Sequence, residues 1–286
     1  MLSALKLALV LGAAAGTALG FTLPSLLADR PDLYETRLDD TRLDDLRPGE
    51  PELAMLRPAA FRYRVAGEFT RAGAAVNAPV VPVRMARPLA IMRRQVTAAE
   101  YQDCVREGAC QHSAQDHAHE HERPVVKVSW RDASAYAAWL SRKTGRTYRL
   151  PSDVEWVFAA GDRFTDDAVA DGDSRDPAKR WLAQYEMESA RDNPDKDVRP
   201  VGSFGVNAHG LADMGGNVWE WTETCYRRAM LDAAGAETGA ASVNCGVRVV
   251  AGRHRSYMTD FVRDARSGGC AVGIPPTNLG FRLVRG

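Results

Sequence analysis

The chain has 286 residues, of which 45% are hydrophobic, so it is long enough to bury a core in one large domain or two small ones. This composition excludes a wholly disordered chain. The 37 Lys and Arg residues are balanced by 37 Asp and Glu residues, so the chain has no net charge. Because no net positive charge is available to attract a phosphate backbone, we expect no nucleic-acid partner. The 24 Gly and 15 Pro residues favour a loop-rich domain over a helical bundle.

The amino end has the pattern of an export signal. Residues 7–28 contain no charged side chain, and Lys6 with the amino terminus supplies a positive start. Ala18-Leu19-Gly20 suits a signal peptidase, whereas the length of the uncharged stretch also suits a membrane anchor of about 20 residues. We expect residues 1–28 to be a signal peptide or an N-terminal membrane anchor. The protein is then periplasmic, secreted or tethered to the inner membrane.

Residues 29–55 are rich in charge and proline and contain a tandem Thr-Arg-Leu-Asp-Asp repeat at 36–40 and 41–45. This composition predicts a solvated linker. A short partner-binding helix with a thin leucine stripe is the alternative. The globular domain is predicted over residues 56–286, because no second linker of this kind follows.

The first predicted elements are strands, followed by a helix. Residues 61–70 alternate apolar and polar side chains like an edge strand, and residues 79–92 are typical of further short strands. Thr97 and Glu100 form a capping box, in which each side chain satisfies a backbone N–H of the first turn. A helix is therefore predicted to end near Val105.

Two more helices are predicted before the regular pattern ends. Residues 130–144 place apolar side chains at helical spacing, and Gly145 is the residue type that ends a helix in the left-handed conformation. Ser152 and Glu155 form a second capping box for a helix through Ala160. Few helices with many short strands and loops predict the α+β class.

Five cysteines suit an oxidising compartment if four of them pair: Cys104, Cys110, Cys225, Cys245 and Cys270. We favour one bridge between Cys104 and Cys110, around a glycine-containing turn. The second favoured bridge joins Cys225 to Cys245 across a Gly- and Ala-rich segment, which leaves Cys270 unpaired. Spacing alone leaves other connectivities open.

Four strings occur in a characteristic order: VSWRDA at 128–133, YRLPSDVEW at 148–156, GNVWEW at 216–221 and NLGFR at 278–282. Together they resemble the formylglycine-generating enzyme (sulfatase-modifying factor) family over about residues 60–286. The resemblance implies a single compact domain with little regular secondary structure, a variant of the C-type-lectin fold. It also implies that the four strings meet at the centre of this domain.

The GNVWEW region is compatible with a site for a hard cation. Oxygen ligands for Ca²⁺ would come from the carboxylates of Asp213 and Glu220 and from the carbonyls of Gly216 and Val218. These positions match a calcium site of the family that the chain resembles. The alternative is purely structural, with the neighbouring tryptophans as core anchors and Glu220 in a buried pair.

The sequence departs from the family where its redox chemistry resides. The formylglycine-generating members use two cysteines that bind copper(I), and the matching positions here are His254 and Thr259. We therefore do not expect formylglycine generation. Residues 253–260 stand where the family has its copper-binding segment. Together with the unpaired cysteine they give the catalytic candidates His254, Tyr257, Thr259 and Cys270. Copper or iron is the candidate redox metal. Alternatively, Arg253 and Arg255 make salt links on a solvated loop and His254 is a surface residue.

The predicted substrate-binding residues are Trp219, Trp221 and Arg282 in the walls of a pocket and Arg253 at its mouth, where the segment 253–259 lies. The chain resembles the exported, cysteine-poor branch of the family, which includes a pyoverdine-maturation protein and accessory proteins of copper nitrite reductases. This resemblance implies a maturation factor that acts in the periplasm and oxidises a peptide-derived small molecule or a partner metalloprotein. The alternative is a non-catalytic, calcium-stabilised binding module.

A histidine-rich loop offers a separate metal hypothesis. His112, His117, His119 and His121 lie within ten residues, and such a tract can bind copper, zinc or iron. The spacing is not that of a defined zinc site, so a loop without a metal is the alternative. Copper or iron delivery by this tract is a third hypothesis for the function.

Overall fold

The computed structural model describes residues 49–113, 122–166, 168–169, 176–191, 197–264 and 278–286. Four α-helices are present in these ranges: α1 Ala98–Arg106, α2 Trp130–Thr144, α3 Asp153–Ala160 and α4 Pro177–Arg191. The strands before α2 are β1 Leu53–Leu56, β2 Ala60–Arg64, β3 Glu68–Arg71, β4 Ala74–Val76, β5 Val80–Arg84 and β6 Leu89–Met92. The later strands are β7 Tyr148–Arg149, β8 Trp219–Leu231, β9 Glu237–Ala251, β10 Arg255–Thr259, β11 Leu279–Gly280 and β12 Val284–Arg285.

Capping boxes fix where the first three helices begin. In α1 the Thr97 hydroxyl accepts from the Glu100 backbone N–H, and the Glu100 carboxylate accepts from the Thr97 N–H. The predicted box at the start of α3 is also present. A third box, Ser129 with Asp132, opens α2, which ends at Gly145 with a φ of 70°. The three predicted helices are confirmed, α1 one residue longer than expected.

Three sheets carry the strands. A four-stranded sheet has the order β1-β6-β12-β7, and β2 pairs with β5. The largest sheet has the order β10-β9-β8-β3-β4, with β11 added in parallel to the start of β8. Its centre is a hairpin of β8 and β9, which are 13 and 15 residues long. The α+β class is confirmed.

Two features of the fold differ from the sequence-based expectation. The strand predicted at 61–70 is two strands, β2 and β3, because the chain turns at Gly67 with a φ of 131°. A Cβ atom at Gly67 would lie 2.6 Å from Arg227 Cγ, so only glycine fits this turn. Helix α4 was not predicted, and its Trp181 and Tyr185 are 63% and 58% exposed, so its apolar residues do not mark a face toward the core.

Two large apolar clusters form the core. One lies under α1 and α2 and includes Trp221, Met258 and Phe281, while the other surrounds α3 and includes Trp156 and Ile91. Both favoured disulfides are present, Cys104 with Cys110 and Cys225 with Cys245. Among the residues described, no helix has the length and apolar character needed to cross a membrane.

Candidate functional site

The polar centre of the domain is a buried pair between Glu220 on β8 and Arg282. Arg282 Nε and Nη2 each lie 2.7 Å from a different carboxylate oxygen of Glu220. Gln95 Nε2 donates to Oε1 at 2.8 Å, and Trp156 Nε1 donates to Oε2 at 2.9 Å. Both Glu220 oxygens therefore accept two hydrogen bonds each. This network joins the GNVWEW and NLGFR strings, as the family resemblance implied.

The residues assigned to calcium are engaged in internal hydrogen bonds. Asp213, at a φ of 59°, accepts from the backbone N–H of Gly202 at 2.6 Å and of Phe204 at 2.8 Å. The carbonyl of Gly216 accepts from the Val218 N–H at 2.8 Å. A calcium ion bound to Glu220 would have to displace hydrogen bonds, because each oxygen of this carboxylate already accepts two. These oxygens fit a hydrogen-bonded turn better than the oxygen cage that the sequence predicted, and melting temperatures with and without calcium test that site.

No group of three or more His, Cys, Asp or Glu side chains in the described ranges could hold a metal ion. Cys270 and His117, His119 and His121 lie outside those ranges. His112 is exposed, and its ring contacts the carbonyl of Ser113.

The four predicted substrate-binding residues fall into two groups. Trp221 and Arg282 have no solvent exposure, and Trp221 Nε1 donates to the Val128 carbonyl at 2.9 Å. These two side chains therefore anchor the core. Trp219 and Arg253 are half-buried, so they remain at the surface where a substrate could reach them.

His254 packs against Trp219 directly before β10. The ring centroids are 5.4 Å apart at an interplanar angle of 66°, and Trp219 Nε1 donates to the His254 carbonyl at 3.2 Å. His254 Nδ1 lies 2.8 Å from the Arg255 carbonyl. Because a carbonyl only accepts, Nδ1 carries the proton, and in the neutral ring the lone pair is on Nε2. This nitrogen can accept a proton or bind a metal.

Glycine at position 252 permits this contact. A Cβ atom at Gly252 would lie 2.7 Å from Trp219 Cδ1. The indole therefore occupies the space that any larger residue would need.

Tyr257 and Thr259 lie on β10, which pairs antiparallel with β9. The Tyr257 hydroxyl accepts from the Gly67 N–H at 2.8 Å, and its ring meets Tyr226 edge-on at 5.2 Å. Thr259 is half-buried at the end of the strand. Strand alternation places Arg255, Tyr257 and Thr259 on one face, while His254 precedes the strand. His254, Tyr257 and Thr259 are thus neighbours along the chain, whereas Cys270 lies outside the described residues.

A buried cluster beside this segment was missed by sequence reasoning. Arg255 Nε lies 2.9 Å from Asp153 Oδ1, and the Tyr63 hydroxyl donates to Asp153 Oδ2 at 2.6 Å. Burial, and then the Asp153 charge, raise the pKa of Tyr63 above its ordinary value. The alternative that placed Arg255 on a solvated loop is wrong, because its side chain is 4% exposed. Asp153 stood inside the YRLPSDVEW string, but its sequence position indicated only a helix start.

Residues 51–286 match the family described as Sulfatase-modifying factor enzyme 1-like domain. The chain belongs to the sulfatase-modifying factor family. The resemblance inferred from the four strings is confirmed.

Curated relatives of the sulfatase-modifying factor family include both active and inactive members. The formylglycine-generating enzyme of Streptomyces coelicolor is 34% identical over 172 residues, covering 56% of this chain and 52% of that protein. Inactive C-alpha-formylglycine-generating enzyme 2 of Bos taurus is 34% identical over 174 residues, covering 58% of this chain and 51% of that protein. The chain thus spans about half the length of the curated relatives that it matches.

The fold of the family is also seen in PvdO from Pseudomonas aeruginosa. That structure aligns with a TM-score of 0.51 and 22% sequence identity, covering 84% of this chain and 95% of PvdO. At this identity the likeness shows the fold alone.

The copper(I) site that the family implies does not fit this chain. The resemblance matches its two thiolate positions to His254 and Thr259, and residues 246–269 contain no cysteine that could supply a soft sulfur ligand instead. The described segment offers one nitrogen, His254 Nε2, where the family chemistry needs two sulfurs. No step through a dithiolate copper centre follows from these residues.

Proposed function

We propose that this protein is an exported maturation factor that modifies a peptide-derived small molecule or a partner metalloprotein, oxidatively in type, and does not generate formylglycine. The observation that carries the proposal is the segment from Arg253 to Thr259. It keeps an ordered place beside the central hairpin but offers His254 and Thr259 in place of two thiols.

The chemistry available at this segment suits a small polar or aromatic substrate. Trp219 is half-buried and offers a flat apolar surface for stacking. The neighbouring His254 Nε2 can take a proton from a substrate hydroxyl or amine, because Nδ1 is held by the Arg255 carbonyl. Arg253 adds positive charge that favours an anionic group. The candidate reaction centre is therefore the pair of Trp219 and His254, next to Arg253 in the chain.

Export is supported by two independent features. Residues 7–28 are uncharged behind Lys6, as in export signals and membrane anchors. The two disulfides are typical of proteins that fold in an oxidising compartment.

A second candidate function is a non-catalytic binding module. It is favoured by the 34% identity to a relative that is named an inactive formylglycine-generating enzyme. Such a module would recognise its partner through the same surface but would not need the His254 imidazole. The two candidates differ in what removal of this ring does.

The test uses a strain that lacks the protein and mass spectrometry of its exported metabolites and metalloproteins. We expect one immature product to accumulate, and we expect the wild-type gene to restore maturation. His254→Ala should fail to restore it, while His209→Ala, which removes an exposed histidine from a distant part of the sequence, should succeed. Restoration by a folded His254→Ala protein would favour the binding module. No difference between the deleted and parent strains would overturn both.

A further inference from the structure

The Cys225–Cys245 disulfide has two chemically different sulfurs. Cys245 on β9 is exposed, whereas Cys225 on β8 is half-buried. Arg248 is the cross-strand partner of Cys225, and its Nη1 lies 3.2 Å from Cys225 Sγ. A guanidinium therefore lies beside the less accessible sulfur.

Arg248 is held in place for this contact. Its guanidinium carbon lies 3.9 Å from the centre of the Trp130 ring, and Nη1 also donates to the Glu223 carbonyl at 2.6 Å. The buried Nε finds no hydrogen-bond partner among the residues described. Burial lowers the pKa of Arg248, although the charges of Asp260 and Glu223 oppose the shift. An incompletely solvated cation is strongly stabilised by a nearby anion.

We propose that Cys225–Cys245 is a thiol–disulfide exchange site that accepts electrons from substrate thiols. A substrate thiolate attacks the exposed Cys245 Sγ, a new disulfide forms between them, and the Cys225–Cys245 bond breaks. The electron pair of that bond goes to Cys225, which leaves as a thiolate beside Arg248. A second substrate thiolate attacks the substrate sulfur of the mixed disulfide, and Cys245 is released and protonated. Two thiols become one disulfide, and the protein disulfide becomes a dithiol.

Both the accessibility of the sulfurs and the stability of the leaving thiolate favour attack at Cys245 and departure of Cys225. Exchange is faster at the sulfur that a thiolate can reach, and faster when the departing thiolate is stabilised. A cation next to a cysteine favours its thiolate form. The site is independent of His254 and therefore goes beyond the maturation role proposed above. Its ligand class is a low-molecular-weight thiol or a cysteine of an exported partner.

The other disulfide provides an internal control. Cys104 has no solvent exposure and is packed in the core cluster under α1 and α2. Buried structural disulfides resist exchange, so Cys104–Cys110 should remain oxidised where Cys225–Cys245 does not.

The test equilibrates the purified protein with mixtures of reduced and oxidised glutathione, alkylates free thiols and quantifies each cysteine by mass spectrometry. We expect Cys225–Cys245 to be reduced at a ratio of reduced to oxidised glutathione at least about tenfold lower than Cys104–Cys110 requires. Mixed disulfides with glutathione should occur on Cys245 and not on Cys225. Equal resistance of the two disulfides, or adducts mainly on Cys225, would overturn the proposal without any variant.

Variants of Arg248 separate its charge from its packing. Arg248→Gln should shift the exchange equilibrium toward the disulfide by about tenfold, and Arg248→Lys should recover most of that change. Arg228→Gln removes an exposed guanidinium of β8 whose ion pair is with Glu68, and it should leave the equilibrium unchanged. An unchanged equilibrium in folded Arg248→Gln would contradict the role of this cation.

Discussion

Arg282 and Glu220 form a bidentate ion pair with two N···O distances of 2.7 Å, and their side chains are 0% and 1% exposed. The pair joins the last motif of the chain to the start of the β8–β9 hairpin. Its position explains why these motifs identify the family, since they build the centre of the fold. It also explains why Glu220 and Arg282 themselves do not form the surface at which a substrate would bind.

Removing one member of this pair should cost much of the stability of the domain. Arg282→Met leaves the Glu220 carboxylate buried without its cation, which we expect to lower the free energy of unfolding by about 3–5 kcal/mol. Arg228→Gln removes an exposed pair with Glu68 and should cost at most about 1 kcal/mol. Urea denaturation measures both. Similar small losses in the two variants would show that the buried pair is dispensable.

Stability should fall at alkaline pH because of Tyr63. Burial, followed by the Asp153 charge, raises the pKa of Tyr63, so the native state keeps its phenolic proton while the unfolded chain loses it near pH 10. The stability tied to the neutral phenol is present below about pH 10 and is lost as the pH rises above it. Tyr63→Phe should therefore flatten the loss of stability between about pH 9 and pH 11. Denaturation midpoints across this range check it, and an equally steep decline in the variant would count against it.

Stability should also fall in acid because of Glu155. Burial opposes ionisation, but hydrogen bonds from Arg149 and from the Ser152 backbone lower the pKa of Glu155 below its ordinary value. The stability from this pair is present above the unfolded pKa of about 4.3 and is lost as the pH falls through the lower folded pKa. Arg149→Gln should be less stable than the wild type at pH 7, and the difference should shrink below about pH 4. A constant difference from pH 7 to pH 3 would show that Arg149 acts only by packing.

Calcium should not raise the thermal stability of the protein by binding to Asp213 and Glu220. Their carboxylate oxygens already accept hydrogen bonds from backbone and side-chain donors. We therefore expect the same melting temperature in excess calcium and in a chelator. A lower melting temperature in the chelator, with no such response in Asp213→Asn, would restore the calcium site at this turn.

Gly252 should control the geometry of the candidate site. Gly252→Ala places a methyl group 2.7 Å from Trp219 Cδ1, which must move the indole and the His254 ring packed on it. The variant should fail to restore maturation in the deleted strain. Gly246→Ala, whose nearest atom is the Asn244 side-chain oxygen at 3.2 Å, should restore it. Full restoration by Gly252→Ala would remove the Trp219 and His254 pair from the site.

Local signals in the sequence predicted the helices well. Capping boxes and Gly145 act over a few residues, so the bounds of α1, α2 and α3 follow from the sequence almost residue by residue. The two disulfides also follow the favoured pairing. Helix α4 escaped prediction because its aromatic residues are exposed and its apolar spacing does not mark a buried face.

The site was less predictable because its contacts join distant parts of the chain. Asp153 and Arg255 are 102 residues apart, and no local pattern indicates that they share a buried ion pair. Tyr63 lies a further 90 residues before Asp153. The motif resemblance placed Glu220 and Arg282 at the centre correctly, but burial depends on the whole assembly of strands. Only the structure separates Trp219 at the surface from Trp221 in the core.

The most direct test of the account is a formylglycine assay on the purified protein. A sulfatase-type peptide containing cysteine is incubated with copper(I), dioxygen and a reductant, and the cysteine is then analysed by mass spectrometry. The formylglycine-generating enzyme of Streptomyces coelicolor serves as the positive control. We predict that this protein leaves the cysteine unconverted, because residues 246–269 contain no cysteine and the resemblance matches the copper thiols to His254 and Thr259. Formation of formylglycine would contradict the account.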